Sequence, residues 1–335
     1  MKKKISSEII ADSVNENGER ITSFVLTFPR FILAEINTHR ALSRNSASSR
    51  AIPFGTMSKE VTNDPFIPID WQKNHKGMQG TEYITDDEEI KAIVEEWVWS
   101  ANSTAYQATV LNSSYDVTKQ LCNRMLEPYL WHKAIVTATD LENFFALRCP
   151  EYVLEIGNEK RSFRSKRDML DYVSGFDQLR FEYENVGQGE IHIMELAERM
   201  WDSMKDSEPR FLKEGEWHIP FGDKLDGNRL HDVCRASGYV FDKEMAKVMV
   251  ATARCARVSY LNFNGKDDYN ADIKLHGILS KSGHWSPFEH CARAMTIDER
   301  DNNLVIQDGV VTSGVSGNFR GFIQYRKMFK GENIV

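Results

Sequence analysis

The sequence contains no long apolar run. No apolar stretch among its 335 residues approaches the about 20 residues that an α-helix needs to cross a bilayer. The start, Met1 to Glu8, carries lysines but no apolar core after them, so it is not predicted to be a secretory signal. These absences predict a cytoplasmic protein without a membrane partner.

Cysteine is scarce, and neither cysteine nor histidine shows metal-ligand spacing. The cysteines are Cys122, Cys149, Cys234, Cys255 and Cys291. Their number is odd, they lie far apart and no CxxC occurs, so neither a disulfide framework nor a zinc site is expected. The histidines form no HxxxH pair. We therefore expect reduced cysteines that pack as small apolar side chains, and no metal site.

Glycine-rich phosphate loops are also missing, since neither GxxxxGK[ST] nor GxGxxG occurs. Acidic residues outnumber basic ones, for a net charge of -7, so a nucleic-acid partner is not expected. For the basic run over 159–167, a solvated face is favoured over a nucleic-acid patch. A small anionic substrate is still allowed, because it needs only a local arginine cluster.

The composition, with 41% apolar and 27% charged residues, is that of a globular protein of one large or two smaller domains. Apolar spacing predicts one strand over 21–28 and helices over 30–40, 86–108, 116–127, 138–148, 190–205, 243–254 and 271–282. The segment 43–50 is predicted to be a loop, 53–83 a long surface excursion and 206–240 loop-rich. The chain is therefore predicted to be helix-rich with few strands.

The densest polar segment runs from Thr38 to Arg50 and holds no acidic residue. Arg40 and Arg50 are fork-shaped donors suited to phosphate. The neutral donors are Ser43, Asn45, Ser46 and Ser48. On the residues alone, a phosphate cradle and an exposed serine-rich loop are equal alternatives.

Two further clusters accompany this segment. Arg124 and Arg148 each stand near the end of a predicted helix, where a cation also simply complements the helix dipole. The run Gly-His-Trp-Ser-Pro-Phe-Glu-His over 283–290 follows another predicted helix. Its Ser286-Pro287 pair predicts a turn.

Together these clusters resemble the flavin-dependent thymidylate synthases, whose signature is Arg-His-Arg-x-x-Ser-x-Asn-Glu-x-Ser-x-Arg. The chain matches it with His39 and Arg40, then Ser43, Asn45, Ser48 and Arg50. The helix that ends at Arg148 is similar to the family's Asn-Phe-Leu-x-Leu-Arg helix. The family's N-terminal block resembles 255–260 and 283–290, near the end of this chain, so the resemblance is circularly permuted.

The resemblance implies an α+β fold, that of the helix-rich thymidylate-synthase-complementing proteins, with a small antiparallel sheet packed against long helices. It implies one permuted domain over 1–335, in which 255–290 corresponds to the family's N-terminal block. Insertions then fall at about 53–83, 149–186 and 206–240. The resemblance also implies a homotetramer with active sites shared between subunits.

The implied activity is reductive methylation of dUMP to dTMP, with FAD as cofactor and methylenetetrahydrofolate and NADPH as co-substrates. The implied substrate-binding residues are Glu35, Ser48, Arg50, Arg124 and Arg148, with Arg148 also the catalytic residue that stabilises negative charge on the pyrimidine. The implied cofactor-binding residues are His39, Arg40, Ser46, Asn143, His284 and Ser286.

Several positions depart from the family pattern. Thr38 and Ser46 replace an arginine and a glutamate of the signature, and Thr137 and Thr139 replace an Asn-x-Arg pair. Glu35 replaces a glutamine, and we expect it to point away from a phosphate or to meet a cation such as Arg320 or Arg326. These departures leave two alternatives open: a flavin- and folate-dependent hydroxymethylase of dUMP or dCMP, and a non-catalytic nucleotide- or RNA-binding relative.

Overall fold

The computed structural model describes residues 3–77, 80, 82–156, 159–175, 182–187, 189–236, 242–258, 267–307 and 310–332. The strands are β1 Ser6–Asn15, β2 Arg20–Pro29, β3 Ser43–Ser46, β4 Trp131–Ala138, β5 Tyr152–Ile156, β6 Glu159–Phe163, β7 Glu182–Asn185, β8 Arg210–Leu212, β9 Trp217–His218, β10 Ala292–Ala294, β11 Leu304–Gln307, β12 Val310–Ser313, β13 Val315–Ser316, β14 Phe319–Arg320 and β15 Phe322–Gln324.

The helices are α1 Leu33–Thr38, α2 Phe54–Asn63, α3 Asp87–Ser114, α4 Lys119–Met125, α5 Glu142–Arg148, α6 Lys166–Ser174, α7 Ile191–Asp206, α8 Gly227–Ala236, α9 Lys243–Val258, α10 Tyr269–Lys281 and α11 Ile297–Asn302. Short 3-10 turns include Arg30–Ile32 and Ser286–Glu289. This combination of helices and mainly antiparallel sheets confirms the α+β prediction.

The main sheet has the strand order β3-β4-β2-β1-β8, antiparallel except where β8 pairs with β1. Alternate residues of β2, namely Phe24, Leu26 and Phe28, are buried and belong to the largest core cluster. The helices α5 and α7 contribute to the same cluster. In α7, Ile193, Ala197 and Met200 recur at helical spacing and bury one face. The predicted strand over 21–28 and the helix over 190–205 are therefore confirmed.

Three predicted loop regions contain regular structure. The segment 43–50 begins with β3, which pairs with β4. The excursion over 53–83 contains α2, and 206–240 contains β8, β9 and α8. The prediction of few strands is therefore wrong, because these strands are short or polar and show little apolar alternation.

Helix boundaries differ in the two segments that lead to the site. The helix predicted over 30–40 is a 3-10 turn followed by α1, which ends at Thr38. The helix predicted over 138–148 starts at Glu142, because Ala138 is the last residue of β4 and residues 139–141 connect the strand to the helix. Thr137 therefore lies on a buried strand, paired with Ser43 across β3 and β4.

The helix predicted over 271–282 is α10, and its end sets the position of the following turn. Gly283 has a φ of 71°, the left-handed conformation that glycine adopts most readily. The N–H of His284 donates to the carbonyl of Leu279 at 3.0 Å, and the N–H of Gly283 donates to that of Ser280 at 3.4 Å. This Schellman motif ends the helix and directs the chain into the Ser286–Glu289 turn.

The segment 149–186 includes a three-stranded antiparallel sheet with the order β6-β5-β7, together with α6. Three of the five basic residues in its basic run are paired with carboxylates: Lys160 with Glu155, Arg164 with Glu142, and Arg167 with Asp202 and Asp206. These ion pairs agree with a solvated face.

Four cysteines of the chain are buried and Cys234 is partly buried. Burial raises the pKa of the Cys149 and Cys291 thiols to about 12, and that of Cys255 rises as well. The cysteines thus pack as apolar side chains and carry little thiolate. Among the described residues, no helix has both the length and the apolar character needed to cross a membrane.

Candidate functional site

Asn45 joins segments that are more than 200 residues apart in the sequence. Its side chain is buried, and its Nδ2 donates to the backbone carbonyl of Cys255 at 2.7 Å. Ser286 Oγ donates to Asn45 Oδ1 at 2.9 Å. The signature strand, the end of α9 and the turn after α10 therefore meet at one amide. Residues 259 and 260 of the Ala-Arg-Val-Ser-Tyr block lie outside the described residues.

An open cleft of about 410 Å³ borders this junction. Ser46, Ser48, Arg50 and His284, all predicted from the sequence, line it together with Asn45, Ala51 and Gln120. Gln120 is not predicted from the sequence, since a lone glutamine in a helix gives no signal. The four predicted residues come from two distant segments, and the fold brings them together.

The loop that carries Ser48 and Arg50 is fixed from behind by α4. Asn123 is fully buried, and its Nδ2 donates to the carbonyls of Ser49 and Ile52 at 2.7 and 3.0 Å. The N–H of Arg50 also donates to Ser48 Oγ at 3.3 Å. Asn123 is not among the site residues predicted from the sequence. A polar residue on the inner face of a short helix is the signal that marks it.

Arg50 and Arg124 are both exposed and have no carboxylate partner among the described residues. Arg124 does not itself line the cleft. It stands four positions after Gln120 in α4, so the two side chains share one helix face. The end of α4 thus places a second unneutralised cation on the side of the helix that borders the cleft.

Arg148 belongs to a second cluster, outside the cleft. Its Nε donates to Nε2 of His39 at 3.0 Å. His39 is buried, and its ring packs edge-on against Phe144 at 4.9 Å. Because a guanidinium only donates, Nε2 of His39 must accept, and the proton of the neutral ring is on Nδ1. Burial, Arg148 and then Arg44 lower the pKa of His39.

Arg44 closes the turn between α1 and β3. Its Nη1 donates to the carbonyls of His39 at 2.8 Å and Ile36 at 3.3 Å. These bonds fix the backbone that carries His39. Burial lowers the pKa of Arg44, against the opposing charge of Glu289. Arg44 therefore supports the site from its backbone side.

The donor that we expected for Glu35 is not found in the described structure. Arg320 lies near Asp140, and Arg326 pairs with Glu289 and Glu332. The Oε2 of Glu35 is buried and has no hydrogen-bond partner among the described residues. The expectation that Arg320 or Arg326 meets Glu35 within the chain is therefore wrong, since both cations are already engaged.

The remaining predicted residues are near the two clusters but are separate from them. Arg40 and Asn143 are exposed, and no carboxylate among the described residues pairs with Arg40. Thr137 is buried and its Oγ1 bonds to Ser23 at 2.6 Å and to His290 at 2.9 Å. The hydroxyl of Thr137 thus bonds to side chains in the interior and not to a ligand.

A scan against protein-family models found no match, and a search of curated proteins found none either. Solved structures do resemble the chain. A UMP/dUMP methylase, PolB, from Streptomyces cacaoi bound with 5-Br UMP is 14% identical, with a TM-score of 0.42, and the match covers 61% of this chain and 90% of that one.

The flavin-dependent thymidylate synthase ThyX from Helicobacter pylori, complexed with FAD and dUMP, is 18% identical with a TM-score of 0.28. That match covers 55% of this chain and 67% of that one. With such low scores and identities, these matches assign no ligand or reaction to the chain. In structure, the chain is similar to a UMP/dUMP methylase and to flavin-dependent thymidylate synthases.

Proposed function

We propose that this chain is an FAD-dependent thymidylate synthase, which reductively methylates dUMP to dTMP with methylenetetrahydrofolate as carbon donor and NADPH as reductant. One observation carries the proposal. Through Asn45, the signature strand meets both Ser286 and the carbonyl of Cys255, beside a cleft lined by Ser48, Arg50 and His284. Blocks that are far apart in the sequence are neighbours around one cleft.

The phosphate of dUMP is assigned to the cleft. Arg50 and Ser48 offer a guanidinium and a hydroxyl there, and Arg124 adds a cation on the adjacent face of α4. Guanidinium groups that lack a carboxylate partner are free to form charge-assisted bonds with phosphate oxygens. A small nucleotide is therefore held by local positive charge on a protein of net charge -7.

Arg148 is assigned to the pyrimidine edge. Its Nε is held by His39, so its terminal nitrogens are left to face negative charge on the N3–C2–O2 amide. Charge stabilised there makes C5 a better carbon nucleophile, and no cysteine attack at C6 is then needed. The buried cysteines, with their raised pKa values, agree with this assignment.

The site residues fit a cofactor with a charged diphosphate. Arg40 is an exposed cation without a carboxylate partner among the described residues, and Asn143 and Ser286 are exposed polar groups. We assign FAD to these three residues, with Ser46 and His284 beside them. When bound, FAD supplies the hydride that reduces the transferred carbon. His39 offers only its Nδ1–H, because Arg148 occupies Nε2.

The separation of Arg148 from the cleft supports shared active sites. We propose one permuted domain over 1–335 that assembles as a homotetramer, in which Arg148 of one subunit completes the cleft of another. The partner of Glu35 is then expected across the same interface. Its Oε2 is buried without a partner among the described residues.

The test is substitution of Arg148→Ala in the purified full chain. We expect dUMP-dependent NADPH oxidation to fall by about 100-fold or more, because a positioned charge is lost. Mixing Arg148→Ala with Arg50→Ala subunits should restore part of the activity if the sites are shared. The matched control is Arg210→Ala, which removes an exposed arginine of β8.

Circular dichroism and the melting temperature should be the same for Arg148→Ala and the wild type. Full activity in Arg148→Ala would refute its catalytic role. A wild-type protein that binds no flavin in any redox state would refute the proposal as a whole.

Hydroxymethylation of dUMP or dCMP is the second candidate. The buried bonds of Thr137 favour it, because this position no longer offers the polar contact of the family's Asn-x-Arg pair. Mass spectrometry of the product formed from each nucleotide separates a methyl from a hydroxymethyl group. An RNA-binding role is disfavoured, because three of the five basic residues over 159–167 are paired with carboxylates.

A further inference from the structure

Another cavity, of about 200 Å³, is lined by Ala47 and Ile52, which flank the loop that carries Ser48 and Arg50. Its wall also includes Arg30, Trp131 and His132. It shares no lining residue with the cleft assigned to the nucleotide. None of its residues was singled out from the sequence, and the proposed reaction does not use them.

Arg30 is held in place by three partners. Its Nη1 donates to His132 Nδ1 at 2.9 Å and to the carbonyl of Ala47 at 3.2 Å. Its Nη2 lies 3.1 Å from Glu127 Oε1. Its Nε–H is buried and has no partner among the described residues.

The tautomer of His132 is fixed, and its Nε2 is a hydrogen-bond donor. Its side chain is 2% exposed, and Nδ1 must accept from Arg30, because a guanidinium only donates. Burial and the charge of Arg30 lower the pKa of His132 to about 3, so the ring is neutral. The proton therefore resides on Nε2, which is buried and lacks a partner in the described part of the chain.

Most of the polar side chains that line the cavity are hydrogen-bond donors. Trp131 Nε1 is a third buried donor without a partner in the described structure. Lys133 and Lys3 add positive charge at the wall. The one carboxylate of the wall, Glu60, is paired with Lys3. Buried donors without acceptors are costly, and a ligand that only accepts hydrogen bonds would satisfy them.

We propose that this cavity is a binding site for a small oxyanion, which accepts hydrogen bonds from Arg30 Nε and His132 Nε2. The volume is about half that of the nucleotide cleft, which suits a small carboxylate or a tetrahedral anion. Arg30 also holds the Ala47 carbonyl, so an anion bound here contacts the residue that supports the nucleotide loop.

The test is isothermal titration calorimetry of the full chain with acetate and with inorganic phosphate, which separates the two anion classes. Binding of either should weaken about tenfold or more in His132→Phe, because one bond to a charged acceptor is lost. His132→Gln keeps an N–H donor and should retain binding. Arg210→Ala removes an exposed arginine that lines neither cavity and should leave the binding unchanged.

A crystal soaked with selenate supplies a second readout that does not depend on any one variant. An anomalous peak beside Arg30 and His132 is the expected result. Selenate found only beside Arg50 and Arg124, or equal binding by the wild type and His132→Phe, would overturn the proposal. If His132→Phe does not fold, the position of the selenate peak decides the question.

Discussion

The Arg148 guanidinium has one hydrogen bond within the described residues, from Nε to Nε2 of His39. That acceptor is available only while His39 is neutral. Protonation would replace it with a donor and place two cations side by side. The positively charged groups that face His39 are Arg148 from α5 and Arg44 from β3, and both oppose protonation. At the scale of one residue, His39 is therefore the group that positions Arg148.

We expect the activity of the wild type to fall on the acid side as His39 takes up a proton. Its pKa lies below the ordinary value of 6.5, so the fall begins below that pH. In His39→Gln the amide oxygen accepts from Arg148 without titrating, so activity should persist and the acid limb should shrink. His39→Phe should lose about tenfold or more, because the acceptor is gone. The measurement is dUMP-dependent NADPH oxidation from pH 5 to 8.

His231→Gln is the matched control, since His231 is exposed on α8 and the hydrogen-bond partner of Arg148 is His39. An acid limb of the same size in His39→Gln and the wild type would assign the titration to another group. Equal activity in His39→Phe and the wild type would show that Arg148 needs no acceptor.

At the scale of elements, β3 is a strand held by polar rather than apolar side chains. Ser43 accepts from Gln324 Nε2 at 3.0 Å and from Asn318 Nδ2 at 3.2 Å. Asn45 bonds to the end of α9 and to the turn after α10. These bonds join the signature strand to the C-terminal part of the chain, as the proposed permuted domain requires.

We expect Asn45→Asp to lower the free energy of unfolding by about 3 kcal/mol. The substitution removes the Nδ2 donor, leaves the Cys255 carbonyl without its partner and buries a charge beside it. Ser286→Ala removes only the other bond and should cost about 1 kcal/mol. Urea unfolding of both variants measures the difference. A midpoint for Asn45→Asp equal to that of the wild type would show that the junction does not stabilise the fold.

Sequence patterns located the elements that bury an apolar face. The helix α7 and the strand β2 were predicted because Met200 and Phe24 belong to regular apolar series. The strand β3 was missed because its buried residues, Ser43 and Asn45, are polar, and burial of a polar side chain depends on distant partners. The short strands β8 and β9 offer too few residues for a pattern.

Sequence patterns predict those residues of the candidate site that belong to a local motif. Ser48, Arg50 and His284 line the cleft as expected. The His39–Arg148 hydrogen bond and the hydrogen bond from Asn123 to Ser49 join residues of different elements. No spacing in the sequence predicts such pairs.

At the scale of the whole molecule, a buried polar chain links the main sheet to the second sheet, β15-β10-β9. His218 of β9 bonds to Ser13 and Ser23, each at 2.9 Å. Ser23 in turn meets Thr137, which bonds to Nδ1 of His290 at 2.9 Å. All five side chains are buried, so both rings must stay neutral in the folded state.

This requirement predicts an acid-sensitive fold. Burial lowers the pKa of His132, His218 and His290 to about 3 and that of His276 to about 4, against 6.5 for an ordinary histidine. Below pH 6.5 the unfolded chain therefore binds more protons than the folded one, and stability falls as the pH falls. At pH 5 each histidine costs about 2 kcal/mol. The combined loss is comparable to the whole stability of a typical domain.

Urea unfolding at pH 7, 6 and 5 measures this loss, and we expect the free energy of unfolding to drop steeply below pH 6.5. His276→Gln removes one titrating group and should lower the slope by about 1.4 kcal/mol per pH unit. His231→Gln changes an exposed histidine of α8 and serves as the control. A free energy at pH 5 within about 1 kcal/mol of that at pH 7 would contradict the prediction, because it would mean that the four histidines take up few extra protons on unfolding and so are not held neutral in the fold.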